Sequence, residues 1–158
     1  MTDKFLNKRK GFTLIELLVV ISIIGLLAAL GTARYIQAEK NARDVRRKSD
    51  LNQYRIALEN YANVNNTIYP DKSNGPISVL CESGNFANEF LAGGCIQDVL
   101  KDDASHGDYV YFSNPAGTDY VIGAKMEVEK SGKNLYEDCS NGRSGYVSTF
   151  STNGACNL

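Results

Sequence analysis

The sequence has no tryptophan, one histidine, two methionines and three prolines among its 158 residues. The lone histidine, His106, lies between acidic residues and a candidate strand, a pattern that fits a solvated loop position. Histidine-based metal sites need more ligands than this, and the serines have no base partner to complete a nucleophilic triad. No phosphate-cradling glycine motif is present, and the glycines are scattered turn residues. These absences argue against an enzyme and against a bound cofactor or metal. Proline is missing from everything before Pro70, so no proline interrupts a helix in that stretch.

Cysteine is confined to the back half, at Cys81, Cys95, Cys139 and Cys156. An even number with no zinc spacing suggests disulfides formed in an oxidising compartment. Four cysteines allow three pairings. Proximity in sequence favours two local loops, Cys81–Cys95 and Cys139–Cys156, with nested or crossed pairings left open.

Composition is otherwise globular, 43% hydrophobic and 22% charged. The net charge of −1 hides a segregation: residues 1–11 carry +3, residues 34–60 carry +3 and residues 66–158 carry −6. Residues 12–30 form a 19-residue apolar run with one ionisable group, Glu16. Such a run is long enough to span a bilayer core as a helix. Lys4, Lys8, Arg9 and Lys10 before it predict that residues 1–11 stay cytoplasmic and that the rest lies outside. An ordinary secretory signal competes, because small residues near Ala28, Ala29 and Ala33 could be cut. The helical pattern, however, continues unbroken to Tyr61, which a discarded signal would not need.

Lys10, Gly11, Phe12, Thr13, Leu14, Ile15 and Glu16, followed by the apolar run, resemble the prepilin processing motif of type IV pilins and type II secretion pseudopilins. The resemblance extends over about residues 8–70, through Asp44 to Leu51 and on to Tyr69 and Pro70. It implies that a membrane prepilin peptidase cuts between Gly11 and Phe12 and methylates the new amino group of Phe12. It also implies that Glu16 pairs with the charged N-terminus of a neighbouring subunit during assembly. A carboxylate in a membrane span costs roughly 2.5–3.5 kcal/mol, so its presence there points to function. The alternative is a carboxylate one turn from the membrane edge that reaches headgroup water. One feature departs from the family: the proline common near position 33 is replaced here by Ala33, with Gly25 and Gly31 nearby, so no proline kink is implied.

From Arg34 onward, Leu51, Tyr54, Leu58 and Tyr61 recur at helical spacing, with Ala57 and Ala62 beside them, as a stripe suited to packing on a sheet. The helix totals about fifty residues, near ~75 Å at 1.5 Å per residue. Tyr69 and Pro70 turn the chain. Residues 72–107 read as loops with a short helix near Cys95–Leu100. Strands are expected at Tyr109–Phe112, Tyr120–Val128 and Gly145–Phe150, with turns at Asn114–Gly117 and Ser131–Gly132. Asp98, Asp102, Asp103 and Asp108 form an acidic cluster without the regular spacing of a calcium loop, and read as a solvated face. Arg46, Arg47 and Lys48 form a basic cluster. DNA binding is weakly supported there; cations that snorkel or meet acidic neighbours fit better.

The fold expected is α+β: a long N-terminal helix, transmembrane in its first half, packed on a small C-terminal antiparallel sheet, pilin-like. Residues 1–11 form a cytoplasmic leader that is removed, and 12–33 the transmembrane and filament-core half of the helix. Residues 34–65 are its exposed half, and 66–158 a globular head. The resemblance implies a major-type pilin in a homo-oligomeric surface fibre for adhesion, motility or DNA uptake. Its partners would be a prepilin peptidase and inner-membrane assembly machinery. Before assembly it would be a single-pass protein of the cytoplasmic membrane. The alternative is a pseudopilin of a type II secretion system. Rivals from other classes are a binding module on an uncleaved helix, in which residues 1–11 persist, and an enzyme.

Overall fold

A computed structural model describes residues 11–70, 75–82, 86–91, 94 and 109–158. Helix α1 runs over Leu14–Val64 without a break. Gly25 and Gly31 are carried inside it despite a helix cost of about 1 kcal/mol each relative to alanine. At its end Thr67 N donates to Ala62 O at 2.8 Å, and Asn66 and Thr67 take left-handed φ values of 56° and 61°. That is a left-handed C-terminal cap built without glycine. Residues up to Glu39 and residues from Lys40 onward form separate compact units.

The second unit holds the sheet. Its strands are β1 (Gly75–Pro76), β2 (Val110–Ser113), β3 (Tyr120–Lys130), β4 (Lys133–Cys139) and β5 (Ser144–Val147). They pair in chain order as an antiparallel meander. Ser131 and Gly132 join β3 to β4 with φ of 54° and 72°. Positive φ at both central residues is the turn geometry that matches strand twist. Short helices α2 (Val79–Glu82) and α3 (Phe86–Phe90) follow β1. The helix expected near Cys95–Leu100 lies outside the described residues.

Strand β4 was not expected from sequence. Lys133, Asn134, Glu137 and Asp138 are residue types depleted in strands. Two neighbours recruit them: Gly123 and Ala124 of β3 face Glu137 and Tyr136, and β5 pairs on the other side. The third expected strand, Gly145–Phe150, is replaced by the shorter Ser144–Val147.

Leu51, Tyr54, Ala57, Leu58 and Ala62 are buried against Tyr109, Tyr111, Tyr120, Ile122, Ala124 and Met126. Buried phenols need hydrogen-bond acceptors, and α1 supplies carboxylates for them. Tyr109 donates to Asp50 at 2.7 Å, and Tyr69 and Tyr120 both donate to Glu59, at 3.1 and 3.0 Å. Burial, reinforced by Glu59, pushes the Tyr69 hydroxyl up to about 12. The contacts also fix direction: Tyr120 at the start of β3 meets Glu59, and Glu127 near its end meets Arg43 and Arg47. Strand β3 therefore runs antiparallel to this part of α1.

Candidate assembly segment

Gly11, Phe12 and Thr13 precede the helix, and Phe12 is 88% exposed. Among the described residues nothing approaches within 4 Å of a side chain placed at Gly11. The first turn is organised by a reciprocal pair. Thr13 donates to Glu16 Oε2 from its backbone N at 3.0 Å and its hydroxyl at 2.9 Å, while Glu16 N donates to Thr13 Oγ1 at 3.3 Å. This is a capping box, with threonine before the helix and glutamate three residues on. Glu16 thus has a local role at the helix terminus besides the assembly and headgroup roles expected from sequence, and the Thr13–Glu16 spacing is its signature.

From Leu14 to Leu27 the large apolar side chains are between 49% and 89% exposed. Ser22, the polar exception on this stretch after Glu16, turns its hydroxyl to Leu18 O at 2.7 Å, which satisfies it within the helix. The helix is long and apolar enough to cross a membrane. An uninterrupted apolar surface of this extent on a folded chain marks a site of contact with lipid or protein.

The basic cluster at Arg46–Lys48 is taken apart by the fold. Arg47 is 2% exposed and pairs with Asp44 at 3.0 Å and Glu127 at 3.2 Å. Arg43 joins Glu127 at 2.6 Å through two nitrogens. Asp44 also accepts the backbone N–H groups of Glu127 and Val128, at 2.8 and 2.9 Å. The hydrogen bond from Arg43 holds the Glu127 carboxyl below the usual range, against a smaller opposing effect of burial. Lys48 lies over the rings of Tyr136 and Tyr146. Arg46 alone of the three faces solvent. Two of the three cations therefore meet partners inside their own subunit, where they clamp α1 to β3 and to the tyrosines of β4 and β5.

At the far end of the chain, Cys139 and Cys156 form a disulfide. Glu137, fully buried, accepts the backbone N–H of Ser151 at 2.7 Å and of Asn157 at 3.4 Å. A carboxylate and a cross-link thus seat the C-terminal segment on β4. Glu137, Cys139 and Cys156 lie close together, but both sulfurs are spent in the disulfide and offer no thiolate to a metal. Cys81 is also disulfide-bonded. Cys95, His106 and the acidic cluster at Asp98, Asp102, Asp103 and Asp108 lie outside the described residues.

Residues 6–32 match the family model described as the prokaryotic N-terminal methylation motif. The chain carries the prepilin-type N-terminal motif and is similar to both type IV pilins and type II secretion pseudopilins. It is 27% identical over 140 residues to the type II secretion system core protein G of Vibrio cholerae, covering 87% of this chain and 94% of that protein. Core protein G of Escherichia coli is 28% identical over 138 residues, 80% of this chain and 93% of that protein. The type IV major fimbrial protein FimA of Dichelobacter nodosus is 43% identical, but over 51 residues, 32% of this chain and 33% of that protein. No solved structure matches the chain at a comparable level. The similarity therefore runs to both groups, over most of the chain for core protein G and over about a third of it for the fimbrial protein.

Proposed function

We propose that the chain is a structural subunit of a helical filament, a major-type pilin that assembles into a surface fibre after prepilin peptidase processing. The observation that carries this is the exposed apolar helix: eleven large apolar side chains between Leu14 and Leu27 are about half exposed or more among the described residues. Each is worth about 1.5–3 kcal/mol when fully buried, so the segment favours a lipid bilayer first and a core of identical helices afterwards. Cleavage between Gly11 and Phe12 leaves that anchor intact, and the bond lies just outside the capped helix. Methylation of the Phe12 amine leaves it cationic, and Glu16, four residues on, is its counter-charge in a neighbour. The disulfide-closed C-terminal segment suits a head exposed outside the cell.

A second reading, a type II secretion pseudopilin, is favoured by the alignment with core protein G over nearly the whole chain. DNA contact has little support: of Arg46, Arg47 and Lys48, only Arg46 is exposed.

N-terminal mass spectrometry of sheared surface fibres, with electron microscopy of the same cells, tests the proposal. Fibres built of a chain that starts at N-methylated Phe12 are expected. A bald surface, with loss of secreted enzymes on deleting the gene, would favour the pseudopilin. A mature chain that begins after Ala29 or Ala33 would overturn both.

A further inference from the structure

The ion cluster between α1 and β3 is balanced, with Arg43 and Arg47 against Asp44 and Glu127. Beside it, three lysines are not. Lys48 Nζ lies 4.5 Å from the centre of the Tyr136 ring and 4.8 Å from that of Tyr146. Lys130 Nζ lies 5.4 Å from the same Tyr146 ring. Lys133 stands directly across the ladder from Lys130. Among the described residues none of the three makes an ion pair. Like charges directly opposed on a ladder are destabilising, and two ammoniums on one ring add to that cost. The tyrosine rings account for Lys48 and in part for Lys130, but nothing in the head accounts for Lys133 placed opposite Lys130.

At the other end of β3 the situation is reversed. Asp119, exposed, is held by neutral donors only: Thr118 Oγ1 at 2.9 Å, Asn114 Nδ2 at 3.1 Å and Ser140 Oγ at 3.4 Å. These donors fix the carboxylate without neutralising it. Strand β3 separates it from Lys130 by about 36 Å at 3.3 Å per residue.

We propose that Lys48, Lys130 and Lys133 around Tyr146 form an anion seat that receives Asp119 of a second copy of this chain, head to tail. The inference rests on the filament reading and adds a contact between heads to the contact between helices. A basic end meeting the acidic end of the next copy is a heterologous interface, which propagates without closing. Glu129, exposed beside Lys130, would instead pair like ends and close a dimer. Glu89, also exposed, has no hydrogen bond that fixes it among the described residues. Complementary charge at both ends of one strand also selects against inverted subunits, because like ends repel.

Zero-length carbodiimide cross-linking of wild-type fibres, followed by peptide mapping, tests this without any variant. The expected product joins Asp119 to Lys130, Lys133 or Lys48. Within one copy about 36 Å of strand separates Asp119 from Lys130, and the Tyr136 ring under Lys48 pairs with Ala124, about 17 Å along the strand from Asp119, so neither link is of zero length. Links from these lysines only to Glu89 or Glu129, or none at all, would overturn the inference while leaving the fibre reading intact. As a second arm, Lys130→Glu with Lys133→Glu should lower fibre yield about tenfold, as repulsive contacts do. Adding Asp119→Lys should restore it, with the head's disulfide and melting unchanged throughout. Wild-type yield from the double variant would refute the seat. Wild-type cells whose fibres lack this chain would overturn the filament reading as well.

Discussion

Arg46 and Arg47 are adjacent in sequence and opposite in environment, so they make a paired test of the clamp between α1 and β3. Replacing Arg47 by alanine removes a side chain that is 2% exposed and bridges Asp44 and Glu127. Two carboxylates would then share Arg43, which is already committed to Glu127. Breaking a buried pair by deleting one partner costs about 3–5 kcal/mol, because the remaining charge stays buried. Asp44 keeps its two backbone donors, which places the expected loss at the lower end of that range. A loss of about 3 kcal/mol corresponds to a melting shift of roughly 6–12 °C for a domain of this size. Arg46→Ala, at an exposed position, should change stability by less than ~0.5 kcal/mol. Urea denaturation of the purified chain in mild detergent, followed through its tyrosines, measures both. Equal effects of the two substitutions, or a loss below ~1 kcal/mol for Arg47→Ala, would refute the clamp.

Gly11→Val should block processing, so that mass spectrometry finds residues 1–11 still attached; normal cleavage would remove the case for a glycine-dependent junction. Cys156→Ser opens the bridge to Cys139, which spans a sequence separation of 17, and should cost about 3 kcal/mol in the same denaturation assay. A chain unchanged by reductant would contradict that figure. Glu127 has a folded-state pKa below its unfolded value near ~4.3, so its contribution is present above that pH and is lost as pH falls through the folded value. Stability should therefore drop on acidification below about pH 4, and Glu127→Gln, less stable at neutral pH, should show a shallower drop.

What the sequence disclosed, it disclosed through periodicity. Leu51, Tyr54, Leu58 and the alanines beside them stand at helical spacing, and the structure buries them on the sheet. Tyr120 to Val128 lies within β3 as expected, although its first five residues are all buried rather than alternating. Strand β4 was illegible because its residues are chosen by tertiary demands: Glu137 is a buried acceptor for backbone N–H groups of Ser151 and Asn157. A local reading sees only a charge where a strand is unfavourable. Arg47 was hidden for the same reason. Within Arg46, Arg47 and Lys48 nothing local distinguishes the cation that is buried from the one that faces water. The distinction comes from Glu127, 80 residues away. Thr13 is different, since its spacing to Glu16 is a capping-box signature that is local and present in the sequence.

That capping pair changes how the role of Glu16 must be tested. Glu16 does two separable things: it caps the first turn of α1 through Thr13, and it offers a negative charge four residues from the amine that cleavage creates at Phe12. Alanine at position 16 would remove both and could not tell them apart. Glutamine serves equally well as the third residue of a capping box, so Glu16→Gln keeps the cap and removes the charge. Thr13→Ala does the reverse: it removes the hydroxyl contacts and keeps the carboxylate. Within one subunit the Phe12 nitrogen and Glu16 are about 6 Å apart along the axis, and a displaced neighbour can bring the two charges closer. In a dry helical core an incoming subunit at the wrong height leaves both charges unpaired, at a cost of several kcal/mol per ion. Charge pairing therefore predicts that Glu16→Gln is inserted, cleaved and folded normally yet forms few fibres, whereas Thr13→Ala forms them at near wild-type yield. The readouts are fibre mass after shearing and the N-terminal mass of the processed chain. If Thr13→Ala loses fibres and Glu16→Gln does not, the glutamate acts on the helix terminus and apolar packing alone sets the register.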